Sequence, residues 1–407
     1  MKKTKARNNS MIVRKAIPEE QQRVNELFSI AFELPLETGP AQPDSDGRLH
    51  FWAAYEDGTD EMMSTFTITD FNIHFDGHGC KMGGIGGVAT LPQYRRMGGI
   101  RGCFQQALPD MYANGYDFSY LYPFSTAYYR KFGYENCVRR YHTTVMLSML
   151  KPPAVSGCAK LADSSRNDLK PAIRAVDAVL EDRYNMMVRH SLSDYGWVDK
   201  CSPAAKQEFT YVYFAGDGTP KAYTTFRMIV EPDGRNLVCN RFAFVDAEGY
   251  NGLMHVFQSM AADHQFVKFD IPSNPSTGYL MPEWSMGAAQ WALWGAGMVR
   301  VVNVESVLKK AKYLGSGDVV LNIQDPQIPE NTGRFRVEFR DGAAQSVTRT
   351  EAPADASMRI NVFSALISGV SDLVSAINYM PDLTVSGKEE TLSKVFYPKP
   401  LMIADYF

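Results

Sequence analysis

The sequence predicts a mixed α/β (α+β) fold in which helices and strands follow one another in three blocks. Two features of the chain support this prediction. The first two blocks each place a helical apolar pattern ahead of several strand-like runs, and a Pro-rich linker at 151–157 separates them. A third block carries short strands before a helical segment at 363–379. The predicted domains are 11–150, 151–297 and 298–407, preceded by a mobile basic tail at 1–10.

Composition narrows the class of protein. Hydrophobic residues make up 45% of the 407 residues, so the whole chain can fold around ordinary cores. The net charge of -3 does not indicate a nucleic acid or an anionic membrane surface as a partner. No apolar run approaches the roughly 18 residues that span a bilayer, and no apolar stretch follows the basic start as in a secretory signal. The six cysteines are scattered without a CxxC pair, which favours reduced core residues and a cytoplasmic protein.

The first block is predicted in most detail. Its strands share short apolar or alternating patterns and lie at 11–14, 50–57, 62–74, 116–122 and 134–147, with a further strand that ends at residue 90. The pair Asp76-Gly77 predicts the turn into that further strand. A helix opens at Pro18, and a second follows Gly99, where Pro109 is expected to kink or shorten it. Ser125 is predicted to cap a short helix at 126–132.

The remaining blocks repeat a helix-then-strands order. The second is predicted to hold helices near 168–192 and 250–264 and strands at 209–215, 221–230, 236–245 and 266–270. The third is predicted to hold strands at 318–323 and 333–339 ahead of its helical segment. The second block contains no cofactor loop of the kind found in the first.

That loop lies between the strand ending at residue 90 and the following helix. Arg95 and Arg96 precede the pair Gly98-Gly99, and the helix opens directly afterwards. A glycine turn at a helix start points several backbone N–H groups at one spot, and arginines add positive charge. This pattern suits a pyrophosphate, although solvated surface loops can have a similar composition.

Two motifs resemble a known family. Residues 88–98 (VATLPQYRRMG) resemble motif A of the GNAT N-acetyltransferases. Residues 128–134 (YYRKFGY), together with the chain end Asp405-Tyr406-Phe407, resemble the enhanced intracellular survival (Eis) acetyltransferases. The resemblance implies an N-terminal GNAT domain, a degenerate central GNAT-like domain and a C-terminal domain similar to a sterol carrier protein.

The resemblance also implies a site for acetyl-CoA. The backbones of Val88 and Thr90 would pair with the pantetheine arm, and the backbone N–H of Val88 would stabilise the oxyanion. The cofactor-binding residues carried over by position are Val88, Ala89, Thr90, Arg95, Arg96, Gly98, Gly99, Ile100 and Ser125. Ile100 replaces the small residue usual in GNAT enzymes, so the contact made from position 100 is left open.

For catalysis, the resemblance implies Tyr129 as general acid and the terminal carboxylate of Phe407 as general base. From the residues alone, Tyr129 is equally a core tyrosine, and a chain end is usually frayed. The end of this chain is apolar and contains two prolines, which favours a docked tail. Glu33 and Asp405 could attract a cationic acceptor, but either could be ordinary surface charge.

Several functional alternatives remain at this stage. The implied activity is direct transfer of acetyl to an aminoglycoside, polyamine or lysine-type amine by a homo-oligomer, a hexamer by resemblance. The competing interpretations are a carrier that binds an apolar ligand in its C-terminal domain and an inactive acetyltransferase used for assembly. His74 and His78 flank a turn without a third ligand, so no metal is expected. No nucleophile-elbow motif indicates acyl-enzyme chemistry.

Overall fold

The computed structural model describes residues 11–36, 47–273 and 287–407. The predicted tail at 1–10 lies outside these residues. The chain forms two compact units, the first from the described parts of Met1–Cys137, Gly297–Lys399 and Asp405–Phe407, and the second from those of Val138–Ala296 and Pro400–Ala404. The expected linker at 151–157 lies inside the second unit, and the three domain boundaries stay a prediction.

The N-terminal part of the first unit is a sheet in the order β1-β2-β3-β4-β5 with three helices. Its elements are β1 (Met11–Lys15), α1 (Gln21–Phe32), β2 (Leu49–Glu56), β3 (Met62–Phe75), β4 (His78–Thr90), α2 (Gly99–Ala113), β5 (Phe118–Leu121) and α3 (Thr126–Arg130). Every neighbouring pair is antiparallel except β4 and β5, which are parallel. The predicted Asp76-Gly77 turn is confirmed, and Gly77 has φ +95°.

Pro109 was expected to kink or shorten α2, and the helix is not shortened there. The helix continues to Ala113, and Met111 beyond the proline is buried in the core with Phe104 and Leu108. Proline removes one helical donor and clashes with the preceding turn. Burial of Met111 offsets that cost, so tertiary packing keeps the last turn helical.

The second unit is built on a sheet in the order β6-β11-β10-β9-β8-β7. Its elements are β6 (Glu135–Met146, of which the first residues belong to the first unit), β7 (Cys158–Leu161), α4 (Lys170–Arg183), α5 (Pro203–Lys206), β8 (Glu208–Phe214), β9 (Pro220–Glu231), β10 (Gly234–Phe244), α6 (Ala247–Gln258) and β11 (Phe266–Pro272). Phe226, Phe257 and Leu253 are among its fully buried core residues.

The C-terminal part of the first unit is a second sheet in the order β15-β14-β13-β16-β17. It follows β12 (Ala289–Val301), whose end pairs with β5. Its elements are α7 (Val304–Lys310), β13 (Gly317–Gln324), β14 (Gly333–Arg340), β15 (Ala343–Arg349), β16 (Ala356–Arg359), α8 (Ile360–Ser368), α9 (Leu373–Tyr379), β17 (Leu383–Val385) and α10 (Glu389–Val395). The single helical segment expected at 363–379 is two helices, because Gly369 ends α8 with φ +84°.

Three further expectations concern the cysteines, His74 and membrane-spanning segments. Cys80, Cys103 and Cys137 are buried as expected of core residues, but Cys158 is exposed. The Nε2 atom of His74 accepts the backbone N–H of Gly77 at 2.8 Å and so holds the hairpin turn. Across the described residues, no helix is long and apolar enough to cross a membrane.

Candidate active site

The end of β4 departs from regular strand geometry. The register between β3 and β4 shifts between Thr65 and Thr67. As a result, Gly87 and Val88 together face Phe66, which makes a β-bulge. Gly87 has φ +55°, a conformation that favours glycine. The bulge turns the backbone at the position where the family resemblance implies the pantetheine contacts.

Beyond the bulge, β4 has an open edge. Its parallel pairing with β5 runs from Met82–Phe118 to Ile85–Leu121, whereas β4 itself continues to Thr90. Within the described ranges, therefore, no strand pairs with residues 86–90 on the β5 side. Unpaired backbone donors and acceptors on a strand edge can bind an extended ligand by adding to the sheet. This edge suits an amide-containing chain such as pantetheine.

The glycine-rich loop places unpaired backbone donors at the start of α2. Arg96 and Gly98 have φ +67° and +94°, and no side chain caps the helix. The first N–H groups of a helix have no acceptor within it, so they point out of its positive end. Arg95 and Arg96 are exposed beside them. Geometry of this kind suits an anionic diphosphate, and the diphosphate site stays a prediction.

Gly99 and Ile100, at the start of α2, are buried rather than exposed. A Cβ on Gly99 would lie 2.9 Å from the Cβ of Ser64, so only glycine lets the helix approach β3 this closely. The side chain of Ile100 is buried in the core beneath α2. A ligand at the loop could therefore contact the backbone N–H of Ile100. The large side chain of Ile100 is accommodated because it points into the core.

Tyr129 lies in the core beside α2. It belongs to α3, whose predicted cap is confirmed, because the Ser125 side chain accepts the backbone N–H of Tyr128 at 3.4 Å. Tyr129 is 1% exposed, and its ring packs against Phe104 and Phe124. Burial raises the pKa of the Tyr129 phenol, which is therefore protonated throughout the neutral range.

The chain after α3 is fixed by a buried ion pair from the C-terminal part of the same unit. The guanidinium of Arg300 contacts both carboxylate oxygens of Asp325 at 2.7 and 2.8 Å, and both side chains are fully buried. Arg300 also donates to the backbone carbonyl of Phe132. A Cβ on Gly133 would collide with the Arg300 guanidinium. Arg300 thus holds the turn that follows Tyr129, and sequence motifs gave no indication of it.

The last residue of the chain lies against β4. A Cβ on Gly86 would lie 2.7 Å from both the main-chain carbonyl carbon and the carbonyl oxygen of Phe407. The Phe407 ring covers Gly84, where a Cβ would lie 2.7 Å from its Cε2 atom. Ring centroids of Phe71 and Tyr120 lie 5.1 and 5.7 Å from that of Phe407. The main-chain carbonyl of Phe407 is therefore directly beside the bulge of β4.

Glu33 and Asp405 were predicted either to attract a cationic acceptor or to be ordinary surface charge. Glu33 is exposed at the C-terminal end of α1, with φ +56°. Asp405 is half-buried, and its main-chain carbonyl accepts the Tyr122 hydroxyl at 2.5 Å. Within the described residues, no hydrogen bond or ring contact joins Tyr129 to Phe407.

Family models identify the kind of domain that contains this site. Residues 13–137, which contain the bulge, the loop and α3, match the family model of the acetyltransferase (GNAT) domain. These residues are a GNAT acetyltransferase domain. Residues 304–400 match the family model of the sterol carrier protein domain. No curated protein sequence matches this chain.

Solved structures share the fold of this chain over nearly its whole length. A probable N-acyltransferase from Enterococcus faecalis V583 is 21% identical with a TM-score of 0.83, covering 98% of this chain and 100% of its own. A GCN5-related N-acetyltransferase from Anabaena variabilis is 17% identical with a TM-score of 0.81 and the same coverage. Eis1 from Mycobacterium abscessus is 17% identical with a TM-score of 0.77, again covering 98% and 100%. The chain therefore shares the fold of these structures, Eis1 among them.

Some residues of this site were missed by sequence reasoning. Gly84 and Gly86 make room for Phe407, and Phe71, Tyr120 and Tyr122 surround its ring. The signal was present as four glycines within residues 83–87 of a predicted strand. Glycine inside a strand often marks the close approach of another backbone or a ligand.

Changing Arg95 or Arg96 to Ala should weaken acetyl-CoA binding more than it slows chemistry. Each charge-assisted hydrogen bond to a phosphate contributes about 1.5–3 kcal/mol, so KM for acetyl-CoA should rise about ten- to a hundredfold. The saturated rate should stay close to normal. Steady-state kinetics with varied acetyl-CoA measures both, and a collapse of kcat at constant KM would place the phosphate site elsewhere.

Gly86→Ala should displace the carboxyl group of Phe407. The added Cβ would lie 2.7 Å from main-chain atoms, which real contacts do not tolerate, so the tail must move. A displacement of about 1 Å can cost about 10²-fold in rate. Gly79→Ala on the same strand is the matched control, because its nearest neighbour would be the Oδ1 atom of Asn72 at 3.4 Å. Equal kcat values for the two variants would contradict this placement of Phe407.

Proposed function

We propose that the protein transfers the acetyl group of acetyl-CoA directly to a primary amine within a ternary complex. The acceptor is an aminoglycoside, a polyamine or a lysine-type amine. The observation that carries this proposal is the position of the Phe407 carboxyl group, beside Gly86 and next to the bulge of β4. The open edge of β4 and the positive loop would hold the pantetheine and diphosphate, with Val88, Ala89, Thr90, Arg95, Arg96, Gly98, Gly99, Ile100 and Ser125 around them.

Amide formation needs a neutral amine. An alkylammonium has a pKa near 10.4, so a group in the site must accept its proton before the amine can attack. The proposed acceptor of that proton is the terminal carboxylate of Phe407, either directly or through a water molecule. A free α-carboxylate has a pKa of about 3.5 and is a weak base in water, so its placement next to the reacting amine is what would make it effective.

The two remaining roles, stabilisation of the oxyanion and proton donation to the leaving thiolate, are assigned to Val88 and Tyr129. The bulge can aim the backbone N–H of Val88 at the thioester carbonyl, where it would stabilise the developing oxyanion. The Tyr129 phenol would donate its proton, or a hydrogen bond, to the departing thiolate. The carboxylates of Glu33 and Asp405 are proposed to attract the cationic acceptor.

The proposal requires that Phe407 carries the carboxylate of the protein as the cell makes it. Intact-mass measurement of the native protein tests this directly. A homo-hexamer in the cytoplasm is proposed with the activity, and light scattering on the purified protein measures the number of subunits.

A thiol-release assay tests the activity itself. Acetyl-CoA is incubated with the protein and one amine from each proposed class, and the acetylated product is identified by mass spectrometry. We expect amine-dependent thiol release with at least one class and a mass increase of one acetyl group on the amine. If no amine accelerates release while an apolar fluorescent probe binds the C-terminal domain, the carrier interpretation replaces this one.

A further inference from the structure

A single side chain at the end of β5 contacts three successive residues of the C-terminal tail. Tyr122 directly follows Leu121, the last residue of β5. Its hydroxyl donates to the main-chain carbonyl of Asp405 at 2.5 Å. Its ring stacks on that of Tyr406, with centroids 4.8 Å apart and planes 18° apart, and lies 5.6 Å from the ring of Phe407.

The ring contacts and the hydrogen bond to Asp405 restrain the tail in different ways. The rings of Phe71, Tyr120 and Tyr122 surround the Phe407 ring, but apolar contacts are non-directional and tolerate sliding. The hydrogen bond to Asp405 is directional and fixes one main-chain atom two residues before the carboxyl group. A slip of one residue would move that carboxyl by about 3.5 Å, away from its place beside Gly86.

We propose that Tyr122 is a positioning residue that sets how far the tail reaches along β4. Asn185 and Arg140 hold the main chain of Pro400, Met402 and Ile403 further back in the tail. Tyr122 fixes residues 405–407 beyond that anchor, and thereby holds the Phe407 carboxyl at Gly86. The inference rests on the proposed function, in which that carboxylate accepts the proton of the amine. Tyr122 itself takes no part in the chemistry.

Tyr122→Phe tests the role with little change in shape. The variant keeps the stacked rings and loses the hydroxyl, so a neutral hydrogen bond is removed. We expect kcat to fall about two- to tenfold, the equivalent of one such bond, with KM for acetyl-CoA changed by less than about twofold. In a second readout that needs no activity, carboxypeptidase should release Phe407 faster by a similar factor, because the tail is free more often.

Tyr313→Phe is the matched control. The Tyr313 hydroxyl also donates to a main-chain carbonyl at 2.5 Å, that of Leu308, and it lies in the C-terminal part of the same unit. Loss of this bond should lower stability without changing either kcat or the release of Phe407. Thermal melting of both variants separates a general loss of stability from a specific effect on the tail.

The outcomes separate this inference from the proposed function. If deletion of Phe407 abolishes turnover but Tyr122→Phe keeps wild-type kcat and wild-type release of Phe407, the positioning role is wrong and the terminal base stands. If the Phe407 deletion is fully active, the proposed base is wrong, and the carboxypeptidase rates still decide whether Tyr122 holds the tail. Equal effects of Tyr313→Phe and Tyr122→Phe on both readouts would also overturn the role.

Discussion

Replacing Tyr129 with Phe is expected to lower kcat by about 10²–10⁴-fold, the range seen when a general acid is lost. Only a hydroxyl is removed from a side chain that is 1% exposed, and the ring contacts with Phe104 and Phe124 are kept. Folding and acetyl-CoA affinity should therefore survive. Steady-state kcat, the thermal midpoint and equilibrium binding of CoA measure the three quantities separately.

The raised pKa of Tyr129 affects how the result is interpreted. Burial keeps the phenol protonated, as a donor requires, but a higher pKa also makes it a weaker acid. A large part of its contribution would then be a hydrogen bond that strengthens as charge develops on the leaving sulfur. Tyr128→Phe is the control one position earlier on α3. If Tyr128 is the sensitive residue, the donor has been assigned to the wrong tyrosine.

Deleting Phe407 is expected to reduce turnover by a comparable factor of about 10²–10⁴. The new terminal carboxylate, on Tyr406, would end about 3.5 Å short of the present position. Phe407→Leu should keep a large share of activity, because it retains both the carboxylate and an apolar side chain over Gly84. Rates of the two variants with saturating acetyl-CoA and amine provide the comparison. Full activity of the deletion would move the search for a base to Glu33, Asp405 or a bound water.

Much of the N-terminal site was predictable because its determinants are local. The Asp76-Gly77 turn and the Ser125 cap each depend on residues within a few positions of one another, and both are found as predicted. The loop from Arg95 to Gly99 likewise carries its own backbone geometry, with positive φ at Arg96 and Gly98. Local turn and cap chemistry is the part of folding that sequence patterns report most directly.

The features that sequence reasoning missed depend on contacts between distant parts of the chain. The turn after Tyr129 is held by Arg300, which carries no local signature, and the space at Gly86 is explained only by Phe407. Pro109 was expected to kink or shorten α2, but with Met111 buried the helix continues to Ala113. In each case tertiary packing overrides or supplies what the local sequence cannot specify.

The central claim is that the carboxylate at Phe407 takes part in acetyl transfer, and one measurement tests it most directly. A self-cleaving intein fused directly after Phe407 replaces the carboxylate with a peptide bond, and its removal followed by hydrolysis restores the carboxylate in the same preparation. The same intein fused before the N-terminus controls for bulk. We predict that turnover with acetyl-CoA and amine rises by at least about 10²-fold when the C-terminal intein is removed. Equal rates before and after removal would contradict the claim.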